Sequence, residues 1–312
     1  MKENLFRSEG VVGSGEEVYL SSLQGLKMAM RQGKILQARC VMCDAAHNLY
    51  VDLGQFRGII PREECALGVK EGSIRDVAII TRVNKMVSFK VTAVDEESGK
   101  VLLSRAAAQK ECSDMLFSTL QQGDIIDARI THLEPFGAFA DIGCGIVSMI
   151  SIDNISVSRI RHPADRFTVG MEIRAVVKEI DRENRRIVLS HKELLGTWEE
   201  NAALFEAGQT VSGIVRSVES YGIFVELSPN LAGLAEYAPD ISPGCLAGVY
   251  IKSILPDKMK VKLAIVDTGE AALPPSVPRY FVTGDRIERW RYSPEPCSRV
   301  IETVFDTALS VN

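Results

Sequence analysis

Phe136-Gly-Ala-Phe139-Ala-Asp-Ile-Gly143, followed by Ile180-Asp181-Arg-Glu-Asn184-Arg-Arg186-Ile-Val-Leu-Ser190, decides the fold because both halves recur elsewhere in the chain. The first half returns as His47-Asn-Leu-Tyr50-Val-Asp-Leu-Gly54 and as Tyr221-Gly-Ile-Phe224-Val-Glu-Leu227. The second half returns residue for residue in spacing as Val94-Asp95-Glu-Glu-Ser-Gly99-Lys100-Val-Leu-Leu-Ser104, and in shorter form as Ile254-Leu-Pro-Asp257-Lys-Met-Lys260-Val-Lys-Leu263. Each copy opens on a glycine before a strand: Gly33-Lys-Ile-Leu-Gln-Ala38-Arg, Gly123-Asp-Ile-Ile-Asp-Ala128-Arg and Gly208-Gln-Thr-Val-Ser-Gly213-Ile, spaced by 90 and 85 residues. Self-similarity at a fixed period means repeated structural units. Short strands bounded by Gly, Asn and Asp turns, about five per copy, point to small closed barrels more than to a sandwich.

Outward from the repeats, each opening glycine follows a helix-like stretch: 14–32, 107–122 and 192–207. Ser14-Gly-Glu-Glu17 reads as a capping box for the first, Val18, Leu23, Leu26 and Met30 follow at roughly helical spacing, and Gly33 is its stop. The division expected is an N-terminal helical segment (1–32), a first repeat (33–105), a helical linker (106–122), a second repeat (123–192), an acidic helical linker (193–207) and a divergent third repeat (208–268). The first repeat carries an insertion at 72–83, whose Val77-Ala-Ile-Ile80 suggests an added strand. Residues 269–312, with Pro274-Pro275, Pro278, Arg289-Trp290-Arg291-Tyr292 and Pro294, read as a short β appendage packed on the third repeat and anchored by Trp290 and Tyr292. The fold class is therefore mainly β: three tandem five-stranded closed barrels joined by short helices, which the resemblance below implies are OB-fold barrels.

These residues and their order resemble the ribosomal protein S1 family, whose module is a five-stranded OB-type barrel that binds single-stranded RNA. The match is sharpest in the second repeat: Gly123, Phe136-Gly-Ala-Phe139, Ile155-Ser-Val-Ser-Arg159-Ile-Arg161-His162-Pro163, Val169-Gly170, and Asp181 onward to Leu-Ser-His-Lys192. The resemblance implies that Phe136 and Phe139 contact RNA. Ordinary strand alternation puts residues three apart on opposite faces, one of them in the core. Gly137 between them permits a bulge or turn that brings both outward. The loop Arg159, Arg161, His162 and Arg166 is either a solvated surface loop or a phosphate- and base-contacting one, since arginine planes pair with phosphates and stack on bases. Asp181 and Arg186 are either a turn-stabilising pair or, as the family implies, RNA contacts. By alignment, His47, Tyr50 and Lys100 in the first repeat, and Tyr221, Phe224 and Lys260 in the third, complete the candidate set. The third repeat lacks the arginine loop, so the middle repeat is expected to bind best.

Composition narrows the function classes. The net charge is −5, but the repeats carry about +2, 0 and −1, and the deficit lies largely in Glu193, Glu199, Glu200 and Glu206. Binding must then lean on stacking and local basic clusters rather than on a large field. No apolar run approaches the ~20 residues of a membrane span. Seven cysteines, an odd and scattered number, and an N-terminus without an apolar core suit a reducing cytoplasm. Cys40-Val-Met-Cys43 with His47 has spacing seen in zinc sites but lacks a fourth ligand, so no metal and no cofactor are expected. There is no Gly-x-x-x-x-Gly-Lys loop, His-Glu-x-x-His or Gly-x-Ser-x-Gly, which argues against an enzyme. The expected partner is single-stranded RNA or mRNA, with the small ribosomal subunit as a further one. An RNA-decay or regulatory accessory protein acting away from the ribosome is the competing reading.

Overall fold

The computed structural model describes residues 7–11, 13, 15–271 and 278–305. They form two compact units, residues 1–120 with 141–147, and residues 121–140 with 148–312.

The first unit begins with two short helices, α1 (Glu17–Leu20) and α2 (Leu23–Gln32). The single helix expected from residue 14 is broken at Ser21-Ser22, where the Ser22 hydroxyl accepts from the Gly25 amide and caps α2. Ser14 lies outside the described residues. Gly33 ends α2 at φ +63, the left-handed conformation that glycine adopts without a Cβ penalty. Strands β1 (Ile35–Cys43), β2 (Leu49–Leu53), β3 (Phe56–Ile60), β4 (Met86–Val94) and β5 (Val101–Ser104) then close a barrel in the order β1-β2-β3-β5-β4. All neighbours are antiparallel except β3 and β5. Alternation does the sorting: Leu49, Val51 and Leu53 of β2 are buried while Tyr50 and Asp52 turn outward. Phe89, Leu36, Ile60 and Leu103 fill the centre. Val77–Ile80 is a helical turn, α3, and not an added strand. A closed barrel has no free edge to accept another strand, and Ile79 instead drops into the core while Val77 and Ile80 stay outside. Helix α4 (Arg105–Thr119), capped by the Ser104 hydroxyl, follows β5.

The second unit holds two further closed barrels. One is built from β6 (Ile125–Glu134), β7 (Gly137–Asp141), β8 (Val147–Ser151), β9 (Glu172–Asp181) and β10 (Arg186–Ser190), in the order β10-β8-β7-β6-β9. The other comprises β11 (Thr210–Glu219), β12 (Gly222–Ser228), β13 (Leu231–Ala235), β14 (Cys245–Leu255) and β15 (Lys260–Ala271), in the order β11-β12-β13-β15-β14. Cyclically these are the same order as in the first barrel, with the third and fifth strands again parallel. Between them the expected linker helix shrinks to a 3-10 turn (Lys192–Leu195) and the single turn α5 (Trp198–Ala202). Gly196 at φ +84 breaks the chain direction, and Thr197 with Glu200 forms a capping box that restarts it.

After residue 277 the chain runs back as a strap ending in a hairpin of β16 (Arg289–Arg291) and β17 (Glu302–Val304). Trp290 and Tyr292 are buried in one core with Trp198, Val215, Ile223 and Val249. The appendage packs on the second barrel as well as on the third. The Ile125 amide donates to Asp285 O at 2.9 Å, the Ile287 amide to Gly123 O at 2.8 Å, and the Arg174 guanidinium to Val282 O at 2.8 Å and Gly284 O at 2.6 Å, all on the second barrel. The Tyr292 hydroxyl donates to Asn230 O at 2.6 Å on the third. Pro274 and Pro275 lie outside the described residues.

Candidate nucleic-acid interface

In the second barrel Phe136 is the last residue of the β6–β7 turn and Phe139 the third residue of β7. Alternation governs only the strand. Ala138 and Ala140 therefore face the core and Phe139 faces out, while Phe136 is released by the turn and is 56% exposed. The two rings meet edge to face, 6.1 Å apart at 89°, a favoured geometry for aromatic pairs. Gly137 supports them by absence: a Cβ there would lie 2.5 Å from Ile150 O, where β8 closes over β7 and the Ile152 amide donates to Phe136 O. His132, on β6, adds a third ring 6.2 Å from Phe139. No motif marked it in the sequence, because both Thr131 and His132 are exposed and break the strand alternation.

The third barrel repeats this arrangement. Tyr221 ends the β11–β12 turn and is 68% exposed, Phe224 is the third residue of β12, and the rings lie 6.2 Å apart at 86°. Gly222 between them would place a Cβ 2.5 Å from Ala235 O. The first barrel departs from the pattern. His47 sits in a turn at φ +62 with Nδ1 3.3 Å from Asp76 Oδ2, and the Tyr50 hydroxyl donates to Asp44 Oδ2 at 3.2 Å. That hydrogen bond raises the Tyr50 hydroxyl's pKa, and the bonds from Asn48 hold Asp44 below the usual carboxylate range.

The arginine loop divides. Arg159 and Arg161 are exposed. His162 is half-buried and caps the 3-10 turn 163–165, its Nδ1 accepting from the Ala164 amide at 3.1 Å. Arg166 does not belong with them: it is 5% exposed and ion-paired with Glu226 of β12, which also takes Arg216 Nε at 2.8 Å. A guanidinium so enclosed is not presented to a phosphate. The loop's other ties run the same way, with the Val157 amide donating to Asn230 Oδ1 at 2.9 Å and Arg216 pairing with Asp165 at 3.2 Å. Much of this loop therefore docks the second barrel on the third, a role its composition did not reveal.

At the last hairpin Asp181 and Arg186 are cross-strand partners, both exposed. Asp181 accepts from the Asn184 amide at 3.0 Å and from Asn184 Nδ2 at 2.7 Å, and these bonds lower its pKa. The turn-holding role of Asp181 is thus occupied, while Arg186 points to solvent. Asp95 ties its own turn through Ser98 and Glu97 beside the exposed Lys100. Lys260 is exposed at the start of β15. Cys40 is buried in the first barrel, and among the described residues no cluster of three metal-ligating side chains forms around Cys40, Cys43 and His47. No described helix is long and apolar enough to cross a membrane.

A family model for the S1 RNA binding domain matches residues 119–192. The chain is 30% identical over 236 residues to small ribosomal subunit protein bS1 of Staphylococcus aureus (strain COL), covering 70% of this chain and 58% of that protein. It is 32% identical over 227 residues to the small ribosomal subunit protein bS1 homolog of Bacillus subtilis (strain 168), covering 71% and 56%. The chain thus spans little more than half the length of these relatives. Among solved structures, a multidomain protein with nucleic acid binding domains from Streptococcus pneumoniae matches 75% of this chain and 73% of its own at 16% identity, with a TM-score of 0.25. The domain match falls on the barrel whose motifs were sharpest, and the relatives' identity extends across most of the chain; the chain belongs to the S1 family of tandem S1-type OB repeats.

Proposed function

We propose that the chain binds single-stranded RNA and acts in translation, as a partner of mRNA and of the small ribosomal subunit in the cytoplasm. The observation that carries this reading is the exposed ring pair, at 6.1 Å in the second barrel and 6.2 Å in the third, each on the strands of an OB barrel that face single-stranded nucleic acid. Exposed rings in this geometry are costly in water and serve as platforms on which bases stack. Phe136 and Phe139 are the stacking residues of the second barrel, with Arg159, Arg161 and Arg186 as its exposed cations; Tyr221 and Phe224, with Lys260, are those of the third. In the first barrel His47, Tyr50 and Lys100 make a weaker site, because both ring residues are already engaged by carboxylates. The role is binding, not catalysis. Fluorescence anisotropy with single-stranded and duplex RNA of one sequence tests it: tighter binding to the single strand supports the reading, and a preference for duplex ends it. Co-sedimentation with 30S subunits tests the ribosomal part. RNA binding without co-sedimentation would favour an accessory protein of RNA decay or regulation.

A further inference from the structure

The three barrels share one strand order, so equivalent outward positions can be followed across each sheet. In the third barrel Phe224 pairs with Leu234 of β13, which pairs in turn with Lys262 of β15. In the first barrel the same path runs from Tyr50 to Ile59 to Leu102. In the second barrel Met149 pairs with Val188, which occupies the place of Lys262. The two following residues, Leu189 and Leu263, are buried in both barrels, which confirms the correspondence. Only the third barrel therefore sets a cation in this row.

Several features make that lysine available. Lys262 is exposed, with Val261 and Leu263 on either side turned into the core, and its ammonium makes no ion pair among the described residues. Lys260, two residues earlier, projects from the same face of β15 and is exposed too. Neighbouring strands lie about 4.8 Å apart, so Lys262 stands roughly 10 Å across the sheet from Phe224. Leu234, between them, is itself exposed at 36% and gives the row an apolar floor. A ring, an aliphatic floor and a free ammonium in sequence match a stacked base, its sugar and its phosphate. The second barrel has arginines on its loop but spends Arg166 on docking against the third.

We propose that Lys262 is a phosphate contact of the third barrel, which makes this barrel a single-stranded RNA platform in its own right despite its missing arginine loop. The proposal rests on the RNA-binding reading above. Its test uses the full chain and a fluorescein-labelled oligouridylate, with affinity measured across a salt series. Each phosphate contacted on a single strand contributes about −0.7 to the slope of log affinity against log salt. Lys262→Val should make the slope shallower by about 0.7, and Lys262→Arg should retain it. Acetylation footprinting should show Lys262 protected by the oligonucleotide, with the exposed Lys110 of α4 unprotected as the reference. If the parent binds RNA and Lys262→Val binds with the same slope, or if Lys262→Arg loses slope as Val does, the phosphate contact is refuted and the RNA-binding reading survives. A parent chain that binds no RNA at all removes both.

Discussion

Two kinds of side chain separate at the scale of the residue: rings left outside at a cost, and charges taken inside. Phe136 and Phe139 belong to the first kind. Base stacking on an aromatic is worth about 1 to 3 kcal/mol per base by alanine substitution, so Phe136→Ala with Phe139→Ala should weaken single-stranded RNA binding at that barrel by about 2 to 6 kcal/mol. The thermal midpoint should scarcely move, since both rings face outward. Anisotropy titration beside a circular dichroism melt checks the pair of outcomes, and an unchanged affinity would return the rings to a structural role. Glu226 belongs to the second kind. It is the shared partner of Arg166 and Arg216, and all three side chains are at most 10% exposed. Removing one partner of a buried pair strands the remaining charge, so Glu226→Ala should destabilise the second unit by about 3 to 5 kcal/mol. Urea denaturation followed by tryptophan emission reads this directly.

Elements explain how those residues are held. Strand β7 approaches β8 so closely at Gly137 that alanine would place its Cβ 2.5 Å from a backbone oxygen that cannot swing away. Gly137→Ala should therefore part the two strands at the base of the ring pair, lowering both stability and RNA affinity. Separate loss of one without the other would show that the close approach is not what supports the rings. The C-terminal strap is the second element with a defined task. Its Tyr292 hydroxyl bonds the Asn230 carbonyl in a buried setting, and deleting such a bond costs about 0.5 to 1.5 kcal/mol, more where the carbonyl is left unpaired. Tyr292→Phe should reduce the stability of the second unit by about that amount and leave RNA affinity unchanged, because Tyr292 is buried while the ring pairs are on the surface.

For the whole molecule, a buried histidine links stability to pH. His191 is fully buried between Phe167 and Tyr280, its Nδ1 3.1 Å from Ile155 O, and burial pushes its pKa down from 6.5 to about 4. The folded chain thus binds the proton less readily than the unfolded chain, and stability rises with pH between these two values. The contribution is fully present above pH 6.5 and is lost as pH falls toward 4, amounting to roughly 3 kcal/mol at 1.36 kcal/mol per pH step. Both tryptophans, Trp198 and Trp290, lie in the second unit's core, so their emission follows this unit selectively. The urea midpoint read by tryptophan should fall between pH 7 and pH 5, and His191→Gln should flatten the dependence. A midpoint that holds steady in the parent would mean that His191 is protonated without disturbing the fold.

Periodicity and repetition in the sequence pointed to three small closed barrels of about five strands each, because strand alternation and turn residues are local properties that each copy states again. The aromatic pairs were legible for the same reason: Phe136-Gly-Ala-Phe139 and Tyr221-Gly-Ile-Phe224 are contiguous. Whether both rings face outward was not legible, since it depends on Phe136 and Tyr221 lying in turns, where alternation does not apply. Val77–Ile80 has strand-forming residues and still coils, because the closed barrel beside it offers no edge. Arg166 looked like its neighbours Arg159 and Arg161 and differs only in meeting Glu226, which is 60 residues away in sequence. Lys262 carries no motif at all, and its place in line with Phe224 follows from the pairing of β12, β13 and β15. Local chemistry thus determined the elements, while the burial and company of each charge was decided by contacts between segments far apart in the chain.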